Sequence, residues 1–389
     1  MVAYTSYETD GRVRMEAEAL VKWGYDVSFL VLKRGRQPQR YILGGVDIVE
    51  LDVQKYRGKN KLRYLLSYLH FIVLAFLRCT ALFCRCGMDV VHVHNMPDVL
   101  VFAALIPRLF GCKVVLDIHD TIPETYAAKF TGRSKALFKI LSLEESLSGT
   151  FAHRIIAVNH VQRDAIIARG FDYRKVSTVI TMPAFAGRRQ HSIDDHRPPA
   201  FRVVNHGTVS KRLGIDLLVR AATHMAERIP GFELHIIGGG DDLVEVMRLS
   251  DTLGISECIH YHPAVQWDKL PEQLCNMDVG IVANRANICT HLMLPSKLID
   301  YVSLNIPVVV PKLRAIEYYF TPDMASYFEP ENIQSMAAAV IYLYKSTECR
   351  RQQAINARRF LDTYNWTTNS DLRDLYAELF ASRLSRVNT

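Results

Sequence analysis

The residues best suited to chemistry cluster where hydrophobic runs end. FRVVNHGTVSKRLGID breaks at Gly207, and Thr208, Lys211 and Arg212 then lead into a helix-like segment. Backbone amides at a helix N-terminus, reinforced by two cations, make a cradle for a diphosphate. The same residues serve equally well as a solvated basic loop. GFELHIIGGGDD ends in Gly238, Gly239 and Gly240, and consecutive glycines let a backbone approach a ligand closely or simply turn. The spacing is not GxGxxG, so the dinucleotide fingerprint is not supported. A third segment, NRANICTHLMLPSKLIDYVSLNIPVVVP, begins at Asn284 and Arg285 and runs through Met293, Leu294, Pro295 and Ser296. Pro295 suits the first turn of a helix, so the amides from His291 to Ser296 point at an anion. Lys297 and Asp300 lie three apart and therefore near one another on that helix. The carboxylate suits a ribose diol; the bland alternative is a surface ion pair, worth little.

In the first half, VVLDIHD places His119 at a strand end, with Asp120 and Glu124 in the loop that follows. His92 and His94 alternate along DVVHVH and so share one face, with Asn95 and Asp98 beyond it. A zinc site there lacks a third ligand at convincing spacing, and most strand histidines are structural. His92 is therefore not a candidate for chemistry, and no metal is expected.

These groups need strand ends to hold them, and the chain supplies strands in alternation with helices. MVAYT, YDVSFLVL, DVVHVH, KVVLDIH and RIIAV read as strands, separated by helices such as RVRMEAEALVKWG, VLVFAALIPRLFG and NHVQRDAIIARG. Such alternation with Val/Ile-rich strands implies a parallel sheet covered on both faces. The pattern stops in the polar, proline-flanked PAFAGRRQHSIDDHRPP and restarts with FRVVNHG, FELHIIGGG, IHYHPAV, MDVGIVA and IPVVVP. The expected fold is α/β: two Rossmann-like domains, 1–182 and 201–365, facing across a cleft, with a linker at 183–200. A C-terminal helix over 366–389 is expected to pack back on the first domain. Open parallel sheets bind ligands beyond the carboxyl ends of their strands, which puts the loops above in the right place.

The 389 residues, 49% hydrophobic and 22% charged, are ordinary globular composition. A net charge of +7 suits an anionic partner without requiring one. The eight cysteines show neither CxxC spacing nor a zinc-like cluster with histidine, which fits a reducing cytoplasm. No signal peptide is read at the N-terminus, where the first strand is short, as if residues before it were missing. From Val53 to Met88 seven Lys or Arg residues occur (Lys55, Arg57, Lys59, Lys61, Arg63, Arg78, Arg85) and no Asp or Glu. They flank the apolar run Leu65 to Leu77, about 13 residues against the ~20 that span a bilayer. This reads as a core helix with a basic loop, or as a surface lying on an anionic membrane. Nucleic acid is not an expected partner, since no aromatic platforms interleave with the basic residues.

Taken in order, ETDGRVRMEAEAL, DVVHVHNMPD, VVLDIHDTIPETY, HGTVSKRLGIDLL and VANRANICTHLMLPSKLIDYVSLNIPVVVP resemble the retaining family-four glycosyltransferases of GT-B fold. The resemblance is strongest to the bacterial exopolysaccharide and lipopolysaccharide branch and covers essentially the whole chain. It implies transfer of a sugar from a nucleoside-diphosphate sugar to a glycan or lipid-linked acceptor, with retention and without an essential divalent metal or other cofactor. It implies that Arg212, with Lys211 beside it, neutralises the donor diphosphate and that Asp300 holds the ribose. It implies that His119 faces the sugar and acceptor and is the catalytic candidate, with Gly11, Arg12, Asn95, Asp98, Asp120 and Glu124 on the acceptor side. The family's first signature Glu falls on Leu292, which accepts no hydrogen bond, so its sugar contact must come from elsewhere, such as the Met293–Ser296 amides. The loop that usually carries paired glycines has only Gly11. An epimerase or hydrolase on the same fold, or a non-catalytic partner subunit, are the rival expectations.

Overall fold

A computed structural model of the chain describes residues 1–54, 56, 61–129, 135–181, 200–364 and 371–387. It divides into two compact units, Met1–Thr181 with Trp366–Thr389, and Met182–Asn365. The expected linker lies outside the described residues apart from its last position, as do Lys55, Arg57 and Lys59.

In the first unit the chain starts inside the sheet. Val2 bridges Leu30 and Val93 in parallel, so the strand expected in MVAYT is reduced to one residue's pairing. Next come α1 (Gly11–Lys22), β1 (Ser28–Leu32), β2 (Arg40–Leu43), β3 (Val46–Leu51), α2 (Lys61–Cys86) and β4 (Val90–His94). β1 and β3 pair in parallel, whereas β2 turns back antiparallel on β3. The β/α reading did not anticipate this hairpin, although its two-residue turn, Gly44–Gly45, is a favoured hairpin type. Asp98–Ala104, expected to begin a helix, forms 3-10 turns before the short α3 (Leu105–Leu109). β5 (Lys113–Ile118), α4 (Ile122–Lys129), α5 (Lys135–Phe151), β6 (Arg154–Ala157), α6 (His160–Ala168) and β7 (Val176–Thr178) follow, and β4-β5-β6-β7 run parallel.

Alternation along β4 and β5 decides what faces what. Val91, Val93, Leu116 and Ile118 share a core with Phe71, Ala75 and Cys79 of α2. On the opposite face, Val115 and Ile156 pack with Leu20 of α1 and with Leu372, Leu375 and Leu379 from the C-terminal helix, Asp371–Val387. His92, His94 and Asp117 have the parity of that second face. They are therefore polar residues in a layer covered by two helices.

In the second unit β8 (Phe201–Thr208), α7 (Ile215–Ala226), β9 (Phe232–Gly239), α8 (Leu243–Thr252), β10 (Ile259–His262), α9 (Leu270–Leu274) and β11 (Val279–Ile281) come first. α10 (Ser296–Ser303), β12 (Val308–Pro311), α11 (Arg314–Tyr319), β13 (Ser326–Phe328), α12 (Ile333–Lys345) and α13 (Thr347–Thr363) complete it, so the C-terminal helix is α14. The six strands lie in the order β10-β9-β8-β11-β12-β13, all parallel. Val203, Leu234 and Ile236 form the core beneath α7 and α12. On α10, Tyr301 stacks over Gly280, where a β-carbon would lie 2.4 Å from its ring. The Tyr301 hydroxyl donates to Val204 O (3.2 Å) and accepts from the His206 amide (3.1 Å), which locks α10 to the end of β8.

Candidate active site

In the second unit the predicted residues gather where β8, β9 and β11 end. Gly207 and Thr208 are exposed at the tip of β8. Ser210 then accepts a hydrogen bond from the Arg212 amide at 3.2 Å and caps a 3-10 turn, Lys211–Leu213. Gly214 closes that turn at φ 74°, where a β-carbon would fall 1.9 Å from the Ala283 carbonyl oxygen. Only glycine lets the loop pack this tightly.

The two cations of the loop part company. Lys211 is committed to α8 and the turn before it, its amide donating to Asp242 (2.8 Å) and its ammonium to Glu245 (2.5 Å), so it is not presented as a donor ligand. Arg212 is half-buried and its guanidinium has no ion-pair partner among the described residues. Arg285 also leaves the donor set: it donates to Lys211 O (2.9 Å) and Asp216 (2.6 Å) and so braces the loop. Asn284 remains, buried, with its side-chain oxygen unpaired.

The α10 pair departs from the surface ion pair that spacing allowed. Lys297 is 8% exposed and donates to Asn205 of β8 at 3.2 Å, beside the bare Cα of Gly207. Burial pulls its ammonium down to about 8, against the opposing pull of Asp300. Asp300 instead meets His206 Nε2 at 3.2 Å, and burial lowers that imidazole's affinity for a proton. Asn205 and His206 thus enter the site although only their neighbour Gly207 was singled out. The i+2 alternation of β8 does not reveal them, because their partners lie 92 and 94 residues away. Met293 and Leu294 are half-buried, Pro295 is the N-cap of α10 with φ −66°, and Ser296 is exposed. The first amides of α10 have no carbonyl within the helix to bond. Leu292 is buried, where it contributes packing and no hydrogen bond acceptor.

The three glycines after β9 do different things. Gly238 has φ 146° and a β-carbon there would meet Gly207 O at 1.9 Å, so it is needed for strand-end packing. Gly240 is similarly tight against Val209, whereas Gly239 faces open space. Of the glycines expected to meet a ligand, Gly239 has the room.

In the first unit one carboxylate organises everything. Asp117 receives Arg12 through Nη2 (2.9 Å) and Nε (3.3 Å), His94 through Nδ1 (3.0 Å) and His119 through Nε2 (2.9 Å). Burial would raise its pKa, but Arg12, then His119 and His94, outweigh that and hold it well below the usual carboxylate range. Burial drives His94 down to about 4 and holds His92 well below its ordinary value. Burial likewise raises the pKa of Glu16 well above its ordinary value, against the pull of Arg12. Glu16, His92, His94 and Asp117 are close enough to hold a metal ion. The Arg12 guanidinium already fills that role, touching Asp117 and Glu16 (3.0 Å), so a divalent ion would sit against a fixed positive charge.

Several residues assigned to the acceptor side prove to be internal braces. Arg12 spends its remaining donors on Val179 O and Thr181. Asn95 ties Asp98, the Asp120 carbonyl and the His119 amide together. Asp98 is fully buried and pushed up to about 8 by burial and by Glu144. Glu124 pairs with Arg169 at 2.5 Å, which also takes Glu145. Gly11 opens α1, half-buried. That leaves Asp120, half-buried, and His119, whose side chain is 22% exposed with Nε2 turned inward. Its Nδ1 is therefore the nitrogen available for chemistry. His92 is held by Tyr376 of α14 at 2.9 Å, a structural partner 284 residues away.

Residues 11–180 match the family described as glycosyl transferase 4-like domain, and residues 200–346 match glycosyl transferases group 1. The chain belongs to the family-four, group 1 glycosyltransferases. It is an enzyme of GT-B fold that transfers a sugar from a nucleotide sugar. An uncharacterized glycosyltransferase of Haemophilus influenzae is 20% identical over 356 residues, 90% of each chain. Sucrose-phosphate synthase from Thermosynechococcus elongatus superposes with a TM-score of 0.77 at 16% identity, covering 98% of this chain and 99% of that one. Anabaena HepE, solved with UDP and glucose, superposes at 0.72 with 15% identity over 98% of each chain. At these identities the solved structures speak for the fold.

Proposed function

We propose that this transferase acts with retention, holds its nucleoside-diphosphate sugar on the second unit, and passes the sugar to a lipid-linked or glycan acceptor of a cell-surface polysaccharide at a membrane's inner face. The observation that carries the donor half is the convergence of Lys297 and Asp300 on the end of β8, with Arg212 in no ion pair among the described residues. Departure of the nucleoside diphosphate puts negative charge on its phosphates, which cations and free helix amides already in place stabilise without reorganising. Arg212, Lys297 and the first turn of α10 supply both. Asp300, steadied by His206, accepts from the ribose hydroxyls. His119, with Nε2 fixed on Asp117, offers Nδ1 to a hydroxyl of the sugar or acceptor. UDP and glucose bound to HepE make a uridine nucleotide the first donor to try.

The acceptor half rests on α2. This helix has 26 residues, twice the apolar stretch counted from sequence, and its segment Leu65–Cys86 is long and apolar enough to cross a membrane. Here it lies on the sheet along Phe71, Ala75 and Cys79, while Leu62, Leu65, Leu66, Leu69, Val73 and Leu77 remain exposed. Their spacing of three and four makes one apolar stripe. Arg63, Arg78 and Arg85 are exposed on the same helix, and it contains no acidic residue. Such a helix suits the plane of an anionic leaflet, where lipid-linked acceptors are found.

A thermal-shift panel of UDP-, GDP- and dTDP-sugars tests the donor site. One nucleotide family should raise the melting temperature, and Arg212→Ala and Asp300→Ala should each remove the effect. A shift that survives both substitutions would place the donor elsewhere.

A further inference from the structure

The sequence shows no cysteine or histidine cluster at metal-site spacing, yet the sheet of the second unit builds one. Along β9, Phe232, Leu234 and Ile236 face the core under α7, which turns Glu233 and His235 to the opposite face. β10 pairs in parallel with His260 directly beside His235, and His262 two residues on shares that face. His235 Nδ1 lies 3.0 Å from His262 Nε2, with the two ring planes 6° from parallel. The His260 ring stands 4.9 Å from that of His235, centroid to centroid. On its other side His235 Nε2 meets Glu233 at 3.1 Å, and Arg202 donates to the same carboxylate oxygen at 3.0 Å. Glu233, His235 and His260 each offer a ligand atom within 4.8 Å of the others.

We propose that His235, His262 and His260, with Glu233, form a binding site for a late first-row divalent cation of the Zn²⁺ or Ni²⁺ kind, stapling the edge strand β10 to β9. Two imidazole nitrogens each ~2.1 Å from one ion at the tetrahedral angle are ~3.4 Å apart, so the His235–His262 contact of 3.0 Å needs to open only slightly to admit the ion. Glu233 sits where a carboxylate fixes the tautomer of a ligating histidine from behind, leaving Nδ1 of His235 for the ion. Imidazole selects zinc, nickel or copper over magnesium or calcium, which prefer oxygen. All three histidines are half-buried, reachable from solvent yet partly shielded from it. Arg202 meets Glu233, on the Nε2 side of His235, whereas Arg12 in the first unit touches two of the four would-be ligands themselves.

The full-length, untagged protein, stripped with chelator, should be titrated with Zn²⁺ by calorimetry and with Co²⁺ by visible absorption. One ion per chain, a tetrahedral cobalt spectrum and a higher melting temperature are expected. His262→Ala and His235→Asn should abolish all three, and Glu233→Gln should weaken binding about 10–100-fold. The fold of each variant is checked by its circular dichroism, and His260→Asn provides a second route if one substitution unfolds the strand. No uptake at stoichiometric metal overturns the proposal. So does binding that His262→Ala leaves intact, or that Glu16→Gln removes instead.

Discussion

Asp117 Oδ2, near the end of β5, lies 2.9 Å from His119 Nε2 just past that strand, and the same carboxylate is gripped by Arg12. The catalytic candidate is therefore not an isolated histidine. It is the partly exposed end of a buried Arg–Asp–His chain.

Replacing Asp117 by Asn should separate orientation from presence. His119 stays but loses the anion that fixes its tautomer, and kcat should fall by roughly 10²-fold or more, the usual scale for a misdirected acid–base group. Arg12 is left buried beside a neutral amide, so about 3–5 kcal/mol of stability should go as well. Steady-state kinetics and thermal melts on the same sample check both. Unchanged kcat in a folded variant would remove His119 from the chemistry.

Lys297 predicts a proton signature of donor binding. Its pKa in the folded chain is about 8, below the ordinary lysine value of 10.5. Between those values the unfolded chain binds more protons than the folded one, so this residue's contribution to stability rises with pH across that window. A diphosphate beside the ammonium favours the charged form and should draw a proton in. Calorimetry above pH 8, in buffers of different ionisation enthalpy, should show uptake of up to one proton per nucleotide, absent in Lys297→Met.

Asp98 separates a brace from an acceptor contact. Burial pushes it up to about 8, so it is protonated at neutral pH, and Asn reproduces its shape without its charge. The folded pKa is raised, so the acid weakens the fold progressively as pH rises from the ordinary 3.8 through about 8. Asp98→Asn should keep activity at pH 7 and melt higher than the parent at pH 8.5. A large loss of kcat would return Asp98 to the acceptor side.

His94 makes this Arg–Asp–His chain acid-sensitive. Its folded pKa, about 4 against 6.5, means the unfolded chain takes up a proton first as pH falls below 6.5. Stability should drop between those limits by roughly 3 kcal/mol, at 1.36 kcal/mol per unit. Asp117 adds a loss in the same direction at lower pH, while the raised pKa of Glu16 opposes it across the carboxylate range. Denaturant melts from pH 7 to 4 should show a shallower decline in His94→Asn.

The apolar stripe of α2 is tested on vesicles. Leu65→Ser with Leu69→Ser should abolish co-sedimentation with phosphatidylglycerol vesicles while leaving nucleotide-sugar thermal shifts unchanged, because both side chains are exposed. Binding that persists, or equal binding to neutral phosphatidylcholine, would argue against an anionic leaflet as the partner.

The parallel sheets, the loops at their ends and the placing of Gly207, Pro295, Asp300 and His119 were legible in sequence. Each depends on a local property: Val/Ile runs for strands covered on both sides, punctuation by Gly and Pro, and the two-residue period of a strand. The β2–β3 hairpin was as local as these, with its Gly44–Gly45 turn, and was hidden only by the expectation of unbroken β/α alternation.

What the tertiary structure alone decided is who touches whom. Lys297 reaches Asn205 across 92 residues, Arg12 reaches Asp117 across 105, and His92 reaches Tyr376 across 284. A charged side chain three residues from an opposite charge can pair with it or turn inward. The choice depends on how much water the packed helices exclude and which longer-range partner replaces it. That balance turned Lys211 and Arg285 into braces, freed Arg212, and set His235 beside His262. Neighbours in the chain cannot settle it, because the dielectric around each group is made by residues from elsewhere in the fold.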